Sequence, residues 1–110
     1  MEKFVIPTRE NNEYQFNLIA ANGSTILSSE GYKSKVSCNN GIESVKKNSG
    51  DNTRFDRKKS GNGKCYFNLK AGNEEVIGSS EIYESSAGME NGIKSVKTNA
   101  ADAQIVESSN

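Results

Sequence analysis

The chain has no histidine and no tryptophan, one proline and only two cysteines among its 110 residues. Without histidine there is no Ser-His-Asp or Cys-His triad, no histidine general base and none of the usual mixed zinc sites. Two cysteines cannot close a structural zinc site without carboxylate help. Neither a GxxxxGKS/T nor a GxGxxG stretch occurs, so no phosphate-cradling loop is signalled. No cofactor or metal is therefore expected. An excess of charge is also missing: 14 basic side chains face 14 acidic ones. That balance gives no global pull toward nucleic acid or an anionic membrane. Apolar residues are sparse at 33%, and the mean hydropathy is -0.74. No run approaches the ~20 apolar residues of a membrane span, and Met1–Pro7 is too short in apolar residues for a signal peptide. The expectation is a soluble cytoplasmic protein.

What the chain does have is a repeat. Displaced by 51 positions, Lys3–Asp51 lies over Arg54–Asp102 without a gap, with 21 identities in 49 pairs. Phe16-Asn17-Leu18 meets Phe67-Asn68-Leu69, Ser28-Ser29-Glu30 meets Ser79-Ser80-Glu81, and Asn40-Gly41-Ile42 meets Asn91-Gly92-Ile93. A unit of about 50 residues is near the size where a lone core is marginal, so the two copies should pack as one domain. Cys38 and Cys65 fall at positions that do not correspond, their counterparts being Met89 and Tyr14. A duplicated secreted unit would usually duplicate its disulfides, so both thiols are read as free and reduced.

Each copy reads as strand, strand, strand, helix. Lys3–Ile6 is a short apolar opening stopped by Pro7, and Arg9–Asn12 reads as a turn. Tyr14, Phe16, Leu18 and Ala20 alternate with polar residues, the period of a half-buried strand. Asn22-Gly23 supplies two residues tolerant of positive φ for a hairpin, and Thr25–Ser28 returns. In the second copy Cys65, Phe67, Leu69 and Ala71 take the inward phase, and the turn Gly72-Asn73-Glu74-Glu75 keeps a flexible glycine. Ser34 and Ser85 are expected helix N-caps. Cys38, Ile42, Val45 and Ser49 form one apolar stripe, matched by Met89, Ile93, Val96 and Ala100. A glycine inside a helix costs about 1 kcal/mol against alanine, so Gly41 and Gly92 suggest close helix–sheet approach. Gly50 suits a left-handed cap after the first helix. Thr53–Lys58 aligns with the opening strand, Gln104–Glu107 should be a final strand, and Ser108–Asn110 should fray.

Tyr-x-Phe-Asn-Leu at Tyr14–Leu18, Asn22-Gly23, Ser28–Tyr32 and Asn40–Asn48, echoed at Cys65–Leu69, Ser79–Tyr83 and Asn91–Asn99, resembles the YegP-like family of small bacterial and archaeal proteins. The resemblance spans about Phe4 to about Val106. It implies a three-strand, helix, strand unit, used twice to form one continuous sheet, with C-terminal strands exchanged between halves. Thr53–Lys58 would then cross from one half to the other. The family has no established activity, so the resemblance implies no catalytic residues. Cys65 in place of the first tyrosine, and the altered second hairpin, depart from the pattern.

The fold expected is α+β: a tandem repeat, residues 3–51 and 54–102 with 103–107 as the last strand, forming one antiparallel sheet with two helices on one face. Ser28-Ser29-Glu30 and its copy could pair a hydroxyl nucleophile with a carboxylate, but adjacent strand residues face opposite ways and no base is placed by spacing. A structural role is the reading adopted, and Tyr32 and Tyr83 are read as staple-like contacts at the helix entries. Glu74-Glu75 sits at an exposed hairpin tip, and a solvated role is the reading adopted. Cys38 and Cys65 read as small buried hydrophobes.

The repeats diverge in charge at Arg54, Arg57, Lys58, Lys59 and Lys64, around the turn Ser60–Gly63, with Tyr66 as an outward aromatic. A basic hairpin with an aromatic could touch phosphates and stack a base. Three functions follow, in order: a non-enzymatic binding or interaction module of unassigned partner, a protein among the candidates; weak nucleic-acid binding through this hairpin; and, last, an enzyme using Ser, Tyr and Glu. A monomer is expected, because a tandem chain satisfies internally what a single repeat would satisfy by dimerising.

Overall fold

Three short strands open the chain in the computed structural model, which describes residues 2–7 and 13–107. They are β1 (Lys3–Ile6), β2 (Asn17–Ile19) and β3 (Thr25–Ser28). Helix α1 (Lys35–Asn48) follows, then β4 (Phe55–Lys59), β5 (Cys65–Lys70), β6 (Val76–Ser80), α2 (Ser86–Asn99) and β7 (Gln104–Glu107). The turn expected at Arg9–Asn12 and the tail Ser108–Asn110 lie outside the described residues.

Among the described residues the seven strands make one sheet, in the order β4-β5-β6-β3-β2-β1-β7. At its centre β3 and β6 pair antiparallel, with Ser28 opposite Ser79. These two serines are equivalent under the 51-residue displacement, so a local two-fold axis passes between them. The α+β architecture of two related halves is as expected. The sheet is mixed rather than wholly antiparallel, because β1 and β7 run parallel with Lys3 beside Gln104. Tight hairpins force antiparallel neighbours, whereas a helix crossing the sheet can return the chain in either sense. β7 is reached through α2.

Both helices carry the chain from one half to the other. After α1 the chain enters β4, at the far edge beside β5. After α2 it enters β7, at the opposite edge beside β1. The crossing segment is therefore as the family resemblance implied, with one local difference. Asn52–Arg54 is a 3₁₀ turn rather than strand, capped by Asp51, whose carboxylate accepts from the Thr53 N–H at 2.9 Å. This right-handed continuation also explains why α1 does not end in a left-handed cap. Its C-cap, Ser49, has φ -65°, and only Gly23 and Gly63 among the described glycines take positive φ.

The inward phases read from the sequence hold. Phe16, Leu18, Cys65, Phe67 and Leu69 from the sheet, and Cys38, Ile42, Val45, Met89, Ile93 and Val96 from the helices, form one buried core. An aromatic ladder occurs twice: Phe4 meets Phe16 edge-on and Phe16 stacks on Tyr32, as Phe55 meets Phe67 and Phe67 stacks on Tyr83. Each tyrosine then fills the gap over a helix glycine. A Cβ on Gly41 would overlap the Tyr32 hydroxyl, and one on Gly92 would overlap that of Tyr83. Each ring lies flat on its phenylalanine and reaches along the helix to the glycine, and Tyr83 also lines the helix entry, its Cδ1 3.6 Å from where a Cβ on Gly88 would stand.

Ser34 and Ser85 are the N-caps, accepting from Ser37 N–H at 3.0 Å and Gly88 N–H at 3.1 Å. In the first hairpin only Gly23, not Asn22, takes positive φ; the Asn22 side chain instead accepts from Ser24 N–H. In the second, Glu74 occupies the matching position with φ 74°, so the left-handed residue there is a glutamate and not Gly72.

Candidate functional site

The basic residues singled out at the second repeat's opening are divided by the strand pleat and the local carboxylates. Arg57, on the helix-covered side of β4, forks onto Glu90 of α2, with Nε 2.6 Å from Oε2 and Nη2 3.0 Å from Oε1. The hydrogen bonds with Glu90 raise the Arg57 pKa above its usual value, and those with Arg57 lower that of Glu90. Lys58 lies 3.3 Å from Asp56, which Lys70 also approaches at 3.3 Å. Lys64 sits 3.2 Å from Glu84, and Arg54 3.5 Å from Asp51. Lys59 is exposed, and Tyr66 pairs across the strands with Lys58. Four of the five cations, Arg54, Arg57, Lys58 and Lys64, thus stand in local ion pairs along one edge of the sheet.

The repeated Ser-Ser-Glu elements build the sheet. Ser29 Oγ accepts from the Phe16 N–H at 2.9 Å and donates to the Glu30 backbone carbonyl at 2.8 Å. Ser80 does the same with Phe67 at 2.9 Å and the Glu81 carbonyl at 2.7 Å. Each hydroxyl fills a place in the ladder that a backbone carbonyl would otherwise take. Neither hydroxyl donates to a carboxylate, so this geometry activates no nucleophile.

A different place holds an unsatisfied charge. Glu2, just ahead of β1, is 3% exposed. Its Oε2 accepts from the Ser95 hydroxyl and from Asn99 Nδ2, both on α2. Its Oε1 is buried and has no hydrogen-bond partner. A buried carboxylate oxygen without a donor costs about 1–3 kcal/mol or more. Glu2 lines a hollow of about 400 Å³ together with Ala20, Ala21 and Asn22 at the β2–β3 turn and Ser95 and Asn99 on α2. The hollow exists because α2, from the second repeat, ends over the first repeat's strands. Among the described residues no group of three or more Cys, Asp or Glu is placed to hold a metal ion.

The sequence reading did not find this site. Glu2 precedes the first aligned pair, and Ser95 and Asn99 have counterparts in Ser44 and Asn48 that made them look like requirements of the fold. The available signal was a glutamate placed directly before an apolar strand.

The profile of the domain of unknown function DUF1508 matches twice, over residues 10–56 and 60–107. The chain belongs to this family. Each match covers two hairpin strands, a helix and the strand that follows it: the first runs from β2 through α1 to the start of β4, the second from β5 through α2 to β7. Similar members include a UPF0339 protein from the 5′ region of the ptx operon of Stutzerimonas stutzeri, 52% identical over 97% of this chain and 96% of that protein. The UPF0339 protein YegP of Escherichia coli K12 is 45% identical over 93% of each chain. The solution structure of E. coli YegP, titled a protein of unknown function, superposes with a TM-score of 0.89 at 43% identity, covering 96% of this chain and 91% of that one. That of a Shewanella oneidensis UPF0339 protein gives 0.90 at 42%, covering 96% and 90%. The double match agrees with the 51-residue repeat, and none of these relatives' names states an activity.

Proposed function

We propose that the protein is a non-enzymatic cytoplasmic binding module that works as a monomer. The observation that carries this reading is Glu2: a carboxylate 3% exposed, with one oxygen unpartnered, lining a 400 Å³ hollow. Binding sites commonly combine a concave surface with a few fixed polar groups, and here Ser95 and Asn99 fix the carboxylate from α2. Free, buried Cys38 and Cys65 are in keeping with a reducing compartment. The β3–β6 pairing satisfies within one chain the edge that a single repeat would offer a second copy. A fragment screen by NMR tests the reading. Hits should shift the amides of Ala20–Asn22, Ser95 and Asn99 and be recovered unchanged. Fragments of every charge leaving those amides still, or a fragment converted to product, would overturn it.

A second reading is nucleic-acid contact through Arg54, Arg57, Lys58, Lys59, Lys64 and Tyr66. The Lys58–Tyr66 register favours it by setting a cation beside an aromatic. The four ion pairs to Asp51, Glu90, Asp56 and Glu84 weigh against it. Fluorescence anisotropy of labelled oligonucleotides should show salt-sensitive binding that Arg57→Ala with Lys58→Ala abolishes; no binding at low salt rejects it.

A further inference from the structure

The residues lining the hollow have counterparts in the other repeat, and the two sets differ in charge. Under the 51-residue displacement Ala20–Asn22 correspond to Ala71–Asn73, Ser95 and Asn99 to Ser44 and Asn48, and Glu2 to Thr53. The helix frame is the same in both: Asn99 Nδ2 donates to the Ser95 carbonyl at 3.2 Å, and Asn48 Nδ2 to that of Ser44 at 2.8 Å. In the second half a guanidinium lies against the hairpin tip. A Cβ on Gly72 would stand 3.6 Å from Arg54 Nη2. In the first half Ala21 takes the place of Gly72, and Lys3, the counterpart of Arg54, is exposed.

Each half also holds one charged side chain with an atom that makes no hydrogen bond. Among the described residues, the buried side-chain polar atoms without a hydrogen-bond partner are Glu2 Oε1 and Arg54 Nε. The first half has Glu2 where the second has Thr53, and the Arg54 guanidinium of the second half has a carboxylate beside it, its Nε 3.5 Å from Asp51 Oδ2. A buried carboxylate is stabilised by a cation that also donates hydrogen bonds, and a planar guanidinium does both.

The geometry points to the Glu2 hollow as a binding site for a guanidinium group, carried by an arginine side chain or by a small guanidinium compound. This rests on reading the hollow as a binding site. Glu2 supplies the charge and the free acceptor, Ser95 and Asn99 hold the carboxylate in place, and the Ala20–Asn22 turn forms the rim.

The full chain, labelled with 15N, is titrated with n-butylguanidinium and with its uncharged isostere n-butylurea. The guanidinium should move the Ala20–Asn22, Ser95 and Asn99 amides saturably, and the urea should bind about tenfold more weakly or worse. Glu2→Gln should bring the guanidinium down to the level of the urea. Ala21→Leu keeps the carboxylate and its partners but fills the hollow, and should abolish binding even if Glu2→Gln fails to fold. N-acetyl-arginine methylamide binding as well as butylguanidinium identifies a polypeptide arginine as the source. Binding of free arginine alone identifies a small molecule. Equal binding of butylurea, or an unchanged affinity in Glu2→Gln, overturns the guanidinium assignment while leaving the hollow a binding site. Silence of these amides toward both probes also overturns it, and the fragment screen then decides the broader reading by itself.

Discussion

Leu27 and Gly78 occupy equivalent positions in the two repeats, and in the folded protein they touch. A Cβ on Gly78 would stand 2.7 Å from Leu27 Cγ, and Leu27 is fully buried. Equivalent side chains beside a two-fold axis compete for one space, so two leucines would overlap and two glycines would leave a void. One leucine over one glycine fills the seam. Only a tandem chain can do this, because two identical subunits carry the same residue at both positions.

Gly78→Ala should therefore destabilise the protein by about 1–3 kcal/mol, the usual cost of overpacking. Leu27→Ala should cost about 2–5 kcal/mol through the cavity it leaves. The double variant should cost less than the sum, since the new methyl enters the vacated space. Urea unfolding of the four proteins checks this, and strict additivity would refute the seam.

Alanine normally stabilises a helix over glycine by about 1 kcal/mol. At Gly41 and Gly92 the sign should reverse, with losses of about 1–3 kcal/mol. The Tyr32 ring cannot move aside, because it stacks on Phe16 at 6.2 Å between centroids, as Tyr83 stacks on Phe67 at 6.4 Å. Tyr32→Phe should recover part of the Gly41→Ala loss. Thermal melts of the single and double variants make the comparison.

Ser29→Ala and Ser80→Ala each strand a backbone N–H, that of Phe16 or Phe67. Each should cost about 1–3 kcal/mol, and the two losses should be similar because the bonds are the same in both halves. Hydrogen exchange should quicken at Phe16 in one variant and at Phe67 in the other.

Glu74 holds φ at 74°, where a side chain costs about 1–2 kcal/mol relative to glycine. Glu74→Gly should thus stabilise the protein by roughly 1 kcal/mol. The lost contact with Lys70, 3.8 Å long and with Glu74 81% exposed, contributes little. Denaturant midpoints decide the sign.

Burial raises the pKa of both Tyr32 and Tyr83, with nearby carboxylates adding to it. Below the unfolded value of about 10 both states keep these protons, and the contribution to stability is complete. As pH rises through that value the unfolded chain ionises first, so stability falls until the folded tyrosines also titrate. Absorbance at alkaline pH should show late ionisation that is lost in Tyr32→Phe with Tyr83→Phe, and the same double variant should flatten the stability loss above about pH 10.

The strand phases at Phe16 and Phe67, the helix stripes and the serine caps were legible in the sequence because each depends on residues close together along the chain, and the repeat because its two copies align without a gap. The sequence also carried the reason for Gly41 and Gly92, since a glycine kept in both helices demands a close neighbour. The Arg57–Glu90 fork, 33 residues apart within the second repeat, depended on how α2 packs against β4, and the Glu2 hollow on where the end of α2 comes to rest over the first repeat. That placement is a property of the exchanged topology. No local pattern encodes which polar side chains meet when two repeats cross, so the carboxylate at Glu2 became legible as a site only once the second repeat's helix lay over it.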